Sequence, residues 1–171
     1  MRKLLLGVAA SALLATGALA ADPVDTVQPT FSSAGFDWDG FYVGLGVTGG
    51  QWSNTESFGL VDIIAGVNVT AGDVLFGGEA WIGGYGTSFG FTGVEGGLEG
   101  RLGYLVSPEA LIYLSGGGQF FDAGGQYGTV GAGVEFAVTD NVSLDLEYKY
   151  WGVSNNGFTA HSIGASANFH F

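Results

Sequence analysis

The chain has 171 residues, 33 of them glycine and three proline, no cysteine, 12% charged residues and a formal charge of −12. So little charge is thin cover for an ordinary soluble surface, glycine without a Gly-X-Y period excludes collagen, and 14% aromatic residues exclude a disordered chain. Without cysteine there is no disulfide framework and no thiol for a lipid anchor.

Arg2 and Lys3 precede an apolar run over 4–14, and Ala18-Leu19-Ala20 supplies the small-x-small pattern of a cleavage site. Residues 1–20 are therefore predicted to be a signal peptide cleaved before Ala21, the run being shorter than the roughly 20 residues of a spanning helix. Its removal leaves Arg101 and Lys149 as the only Lys or Arg against 16 acids. Such a balance repels phosphate backbones and excludes nucleic acid as a partner. Residues 21–38 follow neither the helix nor the strand period, hold two of the three prolines, and are predicted to be an N-terminal tether on the periplasmic side.

From Phe41 the pattern has period two. In the first strand Phe41, Val43, Leu45 and Val47 oppose Tyr42, Gly44, Gly46 and Thr48. Over 60–69, Val61, Ile63, Ala65, Val67 and Val69 oppose Asp62, Gly66 and Asn68, with Ile64 out of pattern. Over 74–84, Val74, Phe76, Ala80 and Ile82 oppose Gly77, Glu79 and Trp81; over 94–104, Val94, Leu98, Leu102 and Tyr104 oppose Glu95, Glu99 and Arg101. Further strands are predicted at 110–120 and at 128–138, the latter with Glu135 on its small, polar face. At 142–150 that face carries Asp145, Glu147 and Lys149, and the last strand sets Ile163, Ala165, Ala167, Phe169 and Phe171 against Ser162, Gly164, Ser166, Asn168 and His170.

Eight strands over 41–171 allow about 16 residues for each strand and its connection, against roughly 10 needed to cross a bilayer. Tight connections are predicted at 70–73, 107–109 and 139–141, alternating with longer ones around 51–57, 85–93, 121–127 and 151–161. Alternation alone does not separate a membrane barrel from a soluble one. The polar face decides it: Gly, Ser, Thr and Asn with a few charges suit a crowded interior better than a dissolved exterior. With both barrel termini in the periplasm, Phe41, Phe76, Tyr104, Phe136, Phe169 and Phe171 form one aromatic girdle and Phe120, Tyr148 and Tyr150 the other.

The stretches Asp39-Gly40-Phe41-Tyr42-Val43-Gly44, 131–141, Leu146-Glu147-Tyr148-Lys149-Tyr150 and 161–171 resemble the porin-like outer-membrane β-barrel domain family, opacity-type and OmpA/OmpX-like eight-stranded barrels included. The resemblance spans 39–171. It implies an all-β, eight-stranded antiparallel up-and-down transmembrane barrel in the outer membrane, among its lipids and lipopolysaccharide. It also implies assembly by the outer-membrane insertion machinery reading Phe169 and Phe171, and a role in envelope integrity or host contact. Asn168 and His170 stand where the family often has basic or bulkier residues, and the loops are short.

The predicted lumen gathers Asp62, Glu79, Glu95, Glu99, Glu135, Asp145 and Glu147 with Arg101 and Lys149. Stranded carboxylates in so narrow a space are costly unless paired, hydrated or protonated. One reading is a structural network in which each base bridges several acids; the other is a wet, cation-attracting channel. Gly44-Leu45-Gly46-Val47-Thr48-Gly49 matches a dinucleotide fingerprint by letter, but it lies in a strand with no helix after it. His161 and His170 point to opposite faces of one strand, so no metal site is expected. Ser154-Asn155-Asn156 and His161-Ser162 invite comparison with lipid A deacylase barrels, but Gly152 stands where the general base would be and adjacent His161 and Ser162 diverge. No enzyme and no cofactor are predicted. The leading expectation is a structural and surface-interaction barrel with a surface ligand of unknown class; the alternatives are a small channel and, third, a lipid A-modifying enzyme.

Overall fold

Each two-residue period places one side chain toward the barrel axis and the next away from it, so the apolar series can face outward only if the sheet closes on itself. The computed structural model describes residues 35–87, 90–152 and 157–171. The expected signal peptide and most of the tether fall outside them. The strands are β1 (Gly40–Trp52), β2 (Ser57–Ala71), β3 (Val74–Thr87), β4 (Gly90–Ser107), β5 (Ala110–Phe121), β6 (Gln126–Ala137), β7 (Val142–Gly152) and β8 (Ala160–His170). They form a closed antiparallel barrel in sequence order, and β1 also pairs with β8, Tyr42 against His170.

The outward face is the apolar one: Phe41, Leu45, Ile63, Leu98, Leu114 and Ile163 are all exposed. Closure removes every strand edge, which lets such a surface sit in lipid with all backbone groups paired. One end, the turn end, carries both barrel termini and the short turns after β2, β4 and β6. The first of these is a two-residue turn with Gly72 at φ 64°, a conformation glycine adopts freely.

At the other end, the loop end, the connections are shorter than the sequence pattern predicts. The strands continue to Trp52, Thr87, Phe121 and Gly152 and resume at Ser57, Gly90, Gln126 and Ala160. Small polar residues near the strand ends suggested loops, but ladder hydrogen bonds hold them in the sheet. A bulge in β4 has a second effect. The register shifts beside Tyr85 and Gly86, turning Phe91 outward at 79% exposure, where it extends the loop-end girdle.

Candidate functional site

The lumen is built in three layers. At the turn end Trp38, Leu75, Leu111 and Tyr113 form a buried cluster with Phe36, Leu105 and Ala137 against it. Phe36 and Trp38 come from the end of the predicted tether. Trp38 Nε1 donates to the Pro108 carbonyl at 3.0 Å, and the next acid, Asp39, accepts from Thr70 N at 2.5 Å and Thr70 Oγ1 at 2.6 Å. At the loop end Phe58, Leu60, Tyr127, Trp151 and Ala160 are buried with Trp52, Tyr85 and Phe121 packed on them.

Between these apolar layers lie the charges. β4 carries Arg101 inward, and its Nη2 donates to Glu135 Oε2 at 2.6 Å while Nη1 donates to the Tyr42 hydroxyl at 3.0 Å. Glu79 and Asp145 each stand 3.7 Å from the guanidinium, which lies 4.0 Å over the Tyr113 ring. Glu135, with no exposed surface, also accepts from Ser143 Oγ at 2.5 Å and Asn168 Nδ2 at 3.0 Å and faces His170 Nε2 at 3.7 Å. Asn168 and His170, the two departures from the family pattern, therefore complete the surroundings of the most buried acid. The Tyr42 hydroxyl donates to Glu79 at 2.7 Å.

A second group centres on Lys149, whose Nζ lies 2.7 Å from Glu99, 3.1 Å from Glu147 and 4.6 Å over the Trp81 ring. Ser115 Oγ donates to Glu147. Glu95 meets no cation but accepts from Trp81 Nε1 at 3.1 Å and Gln119 Nε2 at 2.6 Å. Asp62 joins neither group; it borders an interior cavity of about 60 Å³ shared with Glu79, Asp145, Glu147 and Lys149. The structure thus brings Arg101 to Glu79, Glu135 and Asp145, brings Lys149 to Glu99 and Glu147, and leaves Glu95 and Asp62 off both bases, sharing a hydrogen bond with each other. Among the described residues no cluster of three or more His, Asp and Glu is arranged to hold a metal ion.

The strand period placed Tyr42, Ser115, Gln119, Ser143, Asn168 and His170 on the inner face without showing which charges they serve. Trp52, Tyr85, Phe121, Tyr127 and Trp151 were assigned to connections, yet they are inward residues near strand ends. The signal was present, since continuing the alternation from each strand reaches them. The fingerprint-like Gly44 to Gly49 lies wholly within β1. His161 faces outward, its Nδ1 hydrogen-bonded to the Tyr148 hydroxyl and its ring 5.1 Å from that of Tyr150. Ser162 faces inward and accepts from Trp151 Nε1 at 3.0 Å, so the two never meet. Ser154 lies outside the described residues.

No family model matches the chain. A 22 kDa outer membrane protein of Rhizobium leguminosarum bv. viciae is 33% identical over 153 residues, covering 77% of this chain and 72% of that protein. Among solved structures, Ail, the attachment invasion locus protein of Yersinia pestis, is similar with a TM-score of 0.56 at 12% identity, covering 78% of this chain and 99% of its own. Neisserial surface protein A follows at 0.50 and 20%, covering 78% and 98%. At those identities the structural matches speak for the fold; the sequence match speaks for descent. The chain belongs to the family of the Rhizobium protein and is a small eight-stranded β-barrel protein of the bacterial outer membrane.

Proposed function

We propose that this barrel is a structural and surface-interaction element of the envelope, neither a channel nor an enzyme, with its turn end in the periplasm and its loop end toward the medium. The observation that carries the reading is the layered lumen. Apolar clusters stand at both ends of a paired charge network, and an eight-stranded interior is only wide enough for the side chains that fill it. An acidic channel would need those carboxylates free to meet ions, whereas Glu135 and Glu99 are each committed to a base. The opposite facings of His161 and Ser162 favour a non-catalytic role. Both barrel termini and the tight turns share one end, as expected for a barrel threaded from the periplasm. The partners in this reading are outer-membrane lipids and lipopolysaccharide around the wall, the insertion machinery during assembly, and a surface ligand at the loop end.

Planar-bilayer recording of the purified, folded protein tests the reading. Silence at all voltages is expected. Reproducible unitary conductance steps in the wild-type protein would overturn it in favour of the channel.

A further inference from the structure

The loop-end aromatic layer does more than close the lumen. Trp52, Phe58, Tyr85, Phe121 and Tyr127, with Thr87, Ala123 and Gly125, line a cup of about 200 Å³ at the loop end. Its rings brace one another: Trp52 lies 4.8 Å from Phe58 and 5.0 Å from Tyr127, and Tyr85 meets Phe121 edge-on at 4.8 Å. Trp151 supports the floor 5.5 Å from Trp52. The faces of such rings carry the negative part of the aromatic quadrupole.

The electrostatics of this end select among occupants. Asp122 is fixed beside the cup, its Oδ2 accepting from Val94 N at 3.2 Å and its Oδ1 standing 3.5 Å from the Tyr85 hydroxyl. Glu56 lies in the adjoining turn, where its carbonyl accepts from Trp52 N at 2.9 Å. Arg101 and Lys149 are sequestered in the layer below. An anion entering the cup meets the Asp122 carboxylate, with Arg101 and Lys149 held in the layer below. A neutral apolar molecule gains burial alone. A cation with an apolar body gains burial, the ring faces and the carboxylate together.

The volume is below the roughly 300 Å³ at which drug-sized sites begin, so the occupant is small. The cup is lined mainly by inward-facing residues and not by the outward apolar wall, so its occupant is a solute and not a lipid headgroup.

We propose that the loop-end cup of Trp52, Phe58, Tyr85, Phe121 and Tyr127, flanked by Asp122, binds a small organic cation of the quaternary-ammonium class. The proposal is independent of whether the lumen conducts. Its test uses the full mature chain folded in an uncharged maltoside detergent, at fixed ionic strength, with tryptophan fluorescence as the readout. Choline is compared with its uncharged carbon isostere, in which a tert-butyl group replaces the trimethylammonium.

Choline is expected to give a saturable change, with the isostere at least about fivefold weaker. Asp122→Asn removes the carboxylate, and Phe121→Leu keeps apolar bulk while removing a ring face. Each should weaken choline about fivefold and leave the isostere unchanged. Heat-modifiable mobility on gels shows which variants are folded, and either folded variant suffices. Absence of saturation with choline, equal binding of the two ligands, or choline affinity unchanged in the folded variants would each overturn the proposal.

Discussion

Glu135 shows how much of this barrel rests on single side chains. Its carboxylate sits on β6 and draws partners from β4, β7 and β8: Arg101, Ser143, Asn168 and His170. Glu135→Gln leaves the buried guanidinium without its nearest counter-charge, and breaking such a pair costs about 3–5 kcal/mol. A large fall in the urea midpoint for loss of the folded gel band is expected. Glu95→Gln, whose site holds neutral donors and the Asp62 carboxyl but no cation, should change that midpoint far less. Glycines divide in the same way. A Cβ at Gly66 would fall on the Tyr42 ring, whereas one at Gly78 would meet open space on the outer wall. Gly66→Ala is therefore expected to lower thermal stability by about 1–3 kcal/mol and Gly78→Ala to leave it nearly unchanged, as followed by the temperature of band conversion. The facing of residues within the regular strands was legible in the sequence because parity fixes it wherever no bulge intervenes. Which acid meets which base was not, since Arg101 and Glu135 are brought together by the stagger of the closed barrel, and no local pattern encodes that stagger.

At the scale of the strand, existence and order were readable and the ends were not. Period two marked all eight strands, Ile64 being a buried apolar residue on an inner face that is otherwise mostly polar or small. The loop-end extensions escaped notice because turn-like composition masked continuing ladders, and the β4 bulge broke the parity that would have placed Phe91. The last strand carries the prediction proper to this scale. Phe171 N donates to the Phe41 carbonyl at 3.0 Å, and its ring, 75% exposed, meets Phe169 edge-on at 5.3 Å. Phe76 is an outward aromatic of the same girdle without a terminal position. If Phe169 and Phe171 form the assembly signal, deleting Phe171 lowers the folded fraction recovered in outer membranes more than Phe76→Ala does. Equal recovery of the two variants would remove the signal and leave a girdle residue.

Taken whole, the molecule separates its tasks by direction. The wall is apolar and girdled by rings, the axis is charged in the middle and aromatic toward the loop end, and the turn end is stopped by Phe36 and Trp38 from the segment before β1. Arg101 and Lys149, the two Lys and Arg residues among those described, both serve the interior and neither is spent on the surface. The hub around Glu135 carries a further consequence, one of timing. Its nearest cation comes from β4, but the amide of Asn168 and the imidazole of His170 come from β8, the strand that closes the sheet on β1. A sheet that has not yet closed holds a desolvating carboxylate with part of its shell missing, and closure fills that shell and seals the wall in one event. The cost of a buried carboxylate short of partners thus weighs against the open sheet and in favour of the closed one.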